Sequence, residues 1–175
     1  MTPADFLTNI IQPGLQFLHE LGGPPVVLDA QRFMLCIALT ESGPQLNARY
    51  QGSPAVTPGP ARGWWQFEQG GGVVGVLNHN SCKTLAANVC TACSVVAQPG
   101  AVWRAIEGYD DLAAAFARML IMTTPKPLPT DADGGYLQYL ELWRPGKPCS
   151  SATWNTNWDT ANDAVSQAVD YNADA

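Results

Sequence analysis

Among the fifteen carboxylates of this 175-residue chain, Glu41 stands in an unusual place. It falls in the last turn of the most apolar predicted helix, after Phe33-Met34-Leu35-Cys36-Ile37-Ala38-Leu39. At that end the helix dipole disfavours an anion, and the stripe Met34–Ile37–Ala38 leads Glu41 out of the core only at its tip. Burial and dipole both push a carboxyl pKa upward, and an acid kept protonated near neutral pH can act as a general acid. Most of the aspartates instead sit at predicted helix starts or in the polar tail, where dipole or water solvates them. The alternative for Glu41 is a helix-end residue that simply reaches solvent.

Other side chains could join it. Gln66 donates and accepts at once, which suits a polar group of a ligand or the loop's own backbone. Trp64 and Trp65 offer flat apolar faces to a bound ligand, although adjacent aromatics usually split between core and surface. Ser42 could bind substrate or cap its helix. Glu68 is either a second acid or a structural carboxylate paired with Arg62 or capping the Gly70–Gly72 turn. Arg144 and Lys147 form a basic pair for substrate carboxylates, unless Arg144 pairs with Glu141.

The order of these residues along the chain adds to their chemistry. Glu41-Ser42-Gly43 is followed by Pro60-Ala61-Arg62-Gly63-Trp64-Trp65-Gln66-Phe67-Glu68 and on to Leu77, then by Tyr139 to Pro148 with its W-R-P-G-K-P segment. Together these blocks resemble the lysozyme-like lytic transglycosylases, and within them the phage and prophage lysozyme-like proteins. The resemblance spans residues 30–150. It implies that Glu41 protonates the glycosidic oxygen between N-acetylmuramic acid and N-acetylglucosamine in peptidoglycan. Glu41 then acts as base on the sugar's own 6-hydroxyl to close a 1,6-anhydro ring. One carboxyl suffices for that; Glu41 plus Glu68 would instead permit a lysozyme-type hydrolysis. The family's A-Y-N tyrosine, which hydrogen-bonds the acid, is missing as a motif, and Tyr139 or Tyr136 is its substitute here. The resemblance implies peptidoglycan glycan strands as partner, with other phage virion proteins as further ones, and no cofactor or metal. A non-catalytic lysozyme-like structural or binding protein of a phage particle is the alternative.

The apolar periodicity predicts a mainly helical fold, and the resemblance implies that it is the α+β lysozyme-like one. Its central buried helix ends in Glu41, and a loop or small hairpin is inserted after it. Helices are predicted over 5–21 in two pieces broken near Pro13-Gly14, from an Asp29 N-cap through Ser42, and over about 72–78, 82–97, 100–107, 110–122 and 132–143. Residues 43–72, with four prolines and seven glycines, form a long irregular segment. The domain is expected over 1–150, with a polar helical tail over 151–175, weakly helical from about 158, packed on it or extending from it.

Composition bounds the rest. Charged residues make up 14% of the chain, the net charge is −6 and the pI is about 4.6, which leaves no basic stripe for nucleic acid. No apolar run is long enough for a membrane span. His19 and His79 stand alone, so no Ser-His-Asp arrangement forms, and no G-K-S/T follows Gly70-Gly71-Gly72 to make a phosphate loop. Five cysteines include a Cys90-x-x-Cys93 pair, open to a metal or redox reading; buried thiols, with a Cys82 disulfide to Cys90 or Cys93, are the simpler expectation. The N-terminus lacks the basic n-region of a secretory signal, so the expected location is a phage virion or the host cell envelope, after synthesis in the cytoplasm.

Overall fold

A computed structural model of the chain describes residues 1–47, 49 and 59–173. Residues 48 and 50–58 of the Gly/Pro-rich segment therefore lie outside the described residues. The fold is mainly helical with one small two-stranded sheet. The chain begins with α1 (Pro3–Phe6), a π turn over Leu7–Ile11 and α2 (Gln12–Glu20). Thr2 and Asp5 form a capping box that starts the run. The expected break at Pro13-Gly14 does not occur. The backbone widens into the π turn just ahead of Pro13, which enters α2 in its first turn, where a missing N–H does little harm. Gly14 is required for another reason: a Cβ there would meet that of Ala114 at 2.3 Å, where α2 packs on α7 (Asp110–Ile121).

The central helix α3 (Leu28–Ser42) is buried from Phe33 through Leu39, as its all-round apolar sequence requires. Its N-cap is Val27 rather than Asp29. Asp29 lies inside the first turn and pairs with Arg32 at 2.5 Å. Gly43, at φ 79°, ends the helix. The remaining helices are α4 (Val74–Asn78), α5 (Lys83–Ala92), α6 (Pro99–Ile106), α7, α8 (Ala132–Trp143) and α9 (Ser151–Ala173). The helix expected over 82–97 stops early because Ser94 turns into the left-handed region at φ 55°. Asp131 caps α8 by accepting the Gly134 N–H at 2.8 Å.

The hairpin lies between α3 and α4. Strand β1 (Ala61–Arg62) pairs antiparallel with β2 (Phe67–Glu68), and a second π turn, Gln69–Val73, leads into α4. Gly63 sits at φ 72° against Ile106, where a Cβ would approach to 2.5 Å, so the tight turn needs glycine.

The C-terminal helix is longer than expected and belongs to the core. It starts at Ser151, and Trp154, Trp158, Ala161, Ala164 and Val165 are buried. This stripe lies along α3, where Asn157 donates to Thr40 Oγ1 at 3.1 Å. The Trp154 indole donates to the Ala132 carbonyl at 2.9 Å and stacks on Tyr139 with centroids 4.9 Å apart. All five cysteines are free, so the expected Cys82 disulfide does not form; Cys82 instead donates to the Met119 carbonyl at 3.2 Å. Burial pushes the Cys93 thiol up to about 11, and the nearby Asp111 and Cys90 add to that shift. Among the described residues no group of three His, Cys, Asp or Glu side chains is placed to hold a metal ion.

Because Trp154 ties α9 to both α3 and α8, Trp154→Ala is expected to destabilise the protein by about 3–5 kcal/mol, the range for truncating a buried aromatic. Urea unfolding followed by circular dichroism measures this. A loss below about 1 kcal/mol would mean that α9 is only loosely attached.

Candidate active site

Helix α3 is held on every side, so its last turn has little freedom, and Glu41 emerges half-buried where the core ends. One residue of α8 meets it. The Tyr139 hydroxyl donates to Glu41 Oε1 at 2.7 Å. Tyr139 is itself only 2% exposed and lies in an aromatic stack, with Trp154 on one side and Trp143 and Tyr136 at 6.4 Å. A ring packed this way fixes the position of its hydroxyl, and with it the carboxyl. Tyr136 is not the partner; its hydroxyl donates to the Cys149 carbonyl at 2.5 Å.

The influences on Glu41 together raise its pKa above that of an ordinary glutamate. Burial is the largest influence and raises its pKa; the Tyr139 hydrogen bond works in the opposite direction, and the negative charge of Glu68 raises it again. The carbonyl end of α3 has the same sign as burial. Burial, helped by the Glu41 charge and by the hydrogen bond it makes to Glu41, holds the Tyr139 proton more tightly than usual, so Tyr139 stays a donor.

Glu41 lines a cleft of about 410 Å³. The hairpin and π turn form one wall through Gln66, Phe67, Glu68 and Gly72; the end of α8 and the loop after it form the other through Trp143, Arg144 and Lys147. Gly72 keeps the cleft's wall thin, since a Cβ there would strike the Phe67 ring at 2.7 Å. Gln66 is held at φ 49° with its side-chain amide donating to the Gly63 carbonyl at 2.9 Å. Arg144 is also left-handed, at φ 46°, and its Nε donates to the Glu141 carbonyl at 3.1 Å. Trp143 anchors this wall by donating to the Trp65 carbonyl at 2.9 Å.

The structure thus brings Glu41, Gln66, Glu68, Tyr139 and Arg144 to one cleft or its immediate support, and withdraws three residues expected at the substrate. Ser42 is buried and donates to the Trp64 carbonyl at 2.6 Å, which ties helix to hairpin. Trp64 and Trp65 do not split between core and surface; both are buried. The Trp64 indole donates to Asp110 at 2.9 Å and the Trp65 indole to the Met34 carbonyl at 2.9 Å, so they clamp the hairpin onto α7 and α3. Two ion pairs left open by the sequence do not form. Arg62 binds Glu107 at 3.0 Å under the Trp103 ring, not Glu68, and Glu141 binds Lys126, not Arg144. Glu68 is left exposed at the cleft, without an ion-pair partner among the described residues. Trp143 had no role assigned from the sequence. Its signal was the spacing Tyr136, Tyr139, Trp143 along one face of α8.

A carboxyl whose pKa is raised by folding binds its proton more tightly in the folded state than in the unfolded one. Stability contributed by that proton is then lost as pH rises from the ordinary glutamate value, 4.5, through the folded value. Glu41→Gln removes the penalty while still accepting from Tyr139. It is expected to be more stable than the native protein at pH 7, with the advantage shrinking to nothing as pH falls below the ordinary value. Chemical denaturation across that pH range measures the difference, and a pH-independent difference would contradict the raised pKa.

Comparison of the chain with protein families, with curated proteins and with solved structures gives no match. What the cleft does must therefore be read from its own residues.

Proposed function

We propose that this chain is a lysozyme-like enzyme that cleaves the β-1,4 bond between N-acetylmuramic acid and N-acetylglucosamine in peptidoglycan, with Glu41 as its general acid and base. The observation that carries this reading is the half-buried Glu41 carboxyl, raised in pKa, bound by Tyr139 at 2.7 Å and opening onto a cleft. The protonated carboxyl gives its proton to the glycosidic oxygen as the bond to the anomeric carbon breaks. The carboxylate then takes the proton of the same sugar's 6-hydroxyl as that oxygen attacks the anomeric carbon, closing a 1,6-anhydro ring without consuming water. Tyr139 acts as a positioning residue, and its hydrogen bond steadies the carboxylate between the two steps. Gln66 lines the cleft with its amide nitrogen bonded to the Gly63 carbonyl, and in this reading its remaining donor and acceptor capacity holds a hydroxyl or N-acetyl group of the sugar. The acidic pI suits delivery to the wall by a phage particle, because a free enzyme gains from a positive charge when approaching an anionic wall.

A second reading has one specific observation in its favour. Glu68 lines the same cleft, and its charge acts on Glu41. As a base on water it would convert the reaction to hydrolysis.

Clearing of a peptidoglycan gel by the native protein, reduced about 100-fold or more in Glu41→Gln, is the expected result, since removal of a general acid typically has that effect. Undiminished clearing by Glu41→Gln would contradict the role of Glu41, and no clearing by the native protein would favour a non-catalytic binding or structural role. Mass spectrometry of the released fragments separates the two reactions: anhydro ends, with Glu68→Gln retaining most activity, fit the transglycosylase, and hydrated ends lost in Glu68→Gln fit the hydrolase.

A further inference from the structure

Trp143 belongs to one wall of the Glu41 cleft and is bonded to the other. Its indole N–H donates to the Trp65 carbonyl at 2.9 Å, joining the end of α8 to the hairpin. Its ring stacks on Tyr139, with centroids 6.4 Å apart and planes 29° from parallel, and packs against Phe67 at 6.2 Å. The side chain is half-buried and lines the cleft itself.

The Trp65 carbonyl belongs to the peptide group that leads into Gln66. The N–H of that same group donates to the Gly63 carbonyl at 3.0 Å, so the peptide is pinned from two sides, by the hairpin turn and by α8. The orientation of this peptide sets the backbone of Gln66, which stands at φ 49°, a conformation that glycine adopts without strain. A glutamine kept there against its backbone preference is held by its surroundings. The bond from Trp143 comes from the opposite wall, so it fixes Gln66 relative to the acid as well as within the turn. Resting on the proposed function, we infer that Trp143 is a positioning residue for glycan binding: its N–H orients the Trp65–Gln66 peptide so that Gln66 meets the sugar, while the stacking of its ring on Tyr139 sets the distance from Glu41. Trp143 takes no part in the proton transfers. Loss of its N–H loosens substrate binding and leaves the acid alone; loss of its ring disturbs both.

The test uses the full chain with Trp143 replaced by benzothienylalanine, which keeps the bicyclic ring but has sulfur in place of the N–H. Turnover of soluble peptidoglycan fragments is followed across pH for this protein, for Gln66→Gly and for the two changes combined. The analogue is expected to raise KM about tenfold, the effect of one buried hydrogen bond lost, with kcat within about twofold of native and its pH profile unmoved. Gly at position 66 is unstrained and carries no amide, so in Gln66→Gly the analogue is expected to raise KM no further. Trp143→Leu, which also takes the ring from Tyr139, is expected to lower kcat and shift the pH profile. An analogue with native KM overturns the inference, even if its kcat falls, as it would through a fraction of unfolded protein. Effects of the two changes on KM that multiply in full also overturn it, because Trp143 would then not act through Gln66. Either result in a protein that still cleaves peptidoglycan leaves the cleavage reading standing. No cleavage by the native chain overturns that reading and this inference with it.

Discussion

The hydrogen bond between Tyr139 and Glu41 joins two parts of the chain 98 residues apart, and most of the fold serves to hold it. Helix α3 supplies the acid and α8 supplies the tyrosine. Neither could fix the pair without α9, whose Trp154 stacks on Tyr139 while its neighbours pack along α3. A carboxyl at the edge of an apolar core is unfavourable when ionised. The single hydroxyl offsets part of that penalty and leaves the acid both protonatable and fixed in place. A second strong donor would lower the pKa further and remove the property on which the proposed role of Glu41 depends.

The hairpin is the other half of the arrangement. Its two tryptophans face inward and are anchored by their indole N–H groups to Asp110 and to the Met34 carbonyl. That inward anchoring allows a hairpin with only two residues in each strand to present Gln66 and Glu68 in a fixed direction. Left-handed backbone at Gln66 and Arg144, one on each wall, shows that both rims are shaped by tertiary packing against local preference.

Much of this was legible in the sequence because the relevant signals are local. An apolar run closed by Glu41-Ser42-Gly43 defines a buried helix with an acid at its end, and the boundaries of α6, α7 and α8 follow from proline, aspartate and periodicity. Long-range matters were not legible. Side-chain direction at Trp64 and Trp65 depends on a hydrogen-bond partner in another helix, and the same holds for Ser42. The partners of Arg62 and Glu141 are of the same kind, since Glu107 and Lys126 lie farther along the chain than the neighbours Glu68 and Arg144 and no local signal marks them. Helix α9 was underestimated because its Asn- and Asp-rich face masks a stripe at Trp154, Trp158, Ala161 and Val165 that has helical spacing.

The central claim is that folding raises the pKa of Glu41 above that of an ordinary glutamate. Carbon-13 NMR titration of the side-chain carboxyl, assigned by comparison with Glu41→Gln, measures it directly. The account predicts a midpoint above 4.5, moving further up in Tyr139→Phe as the hydrogen bond that stabilises the ionised form is lost. A midpoint at or below 4.5, or no response to Tyr139→Phe, would contradict it.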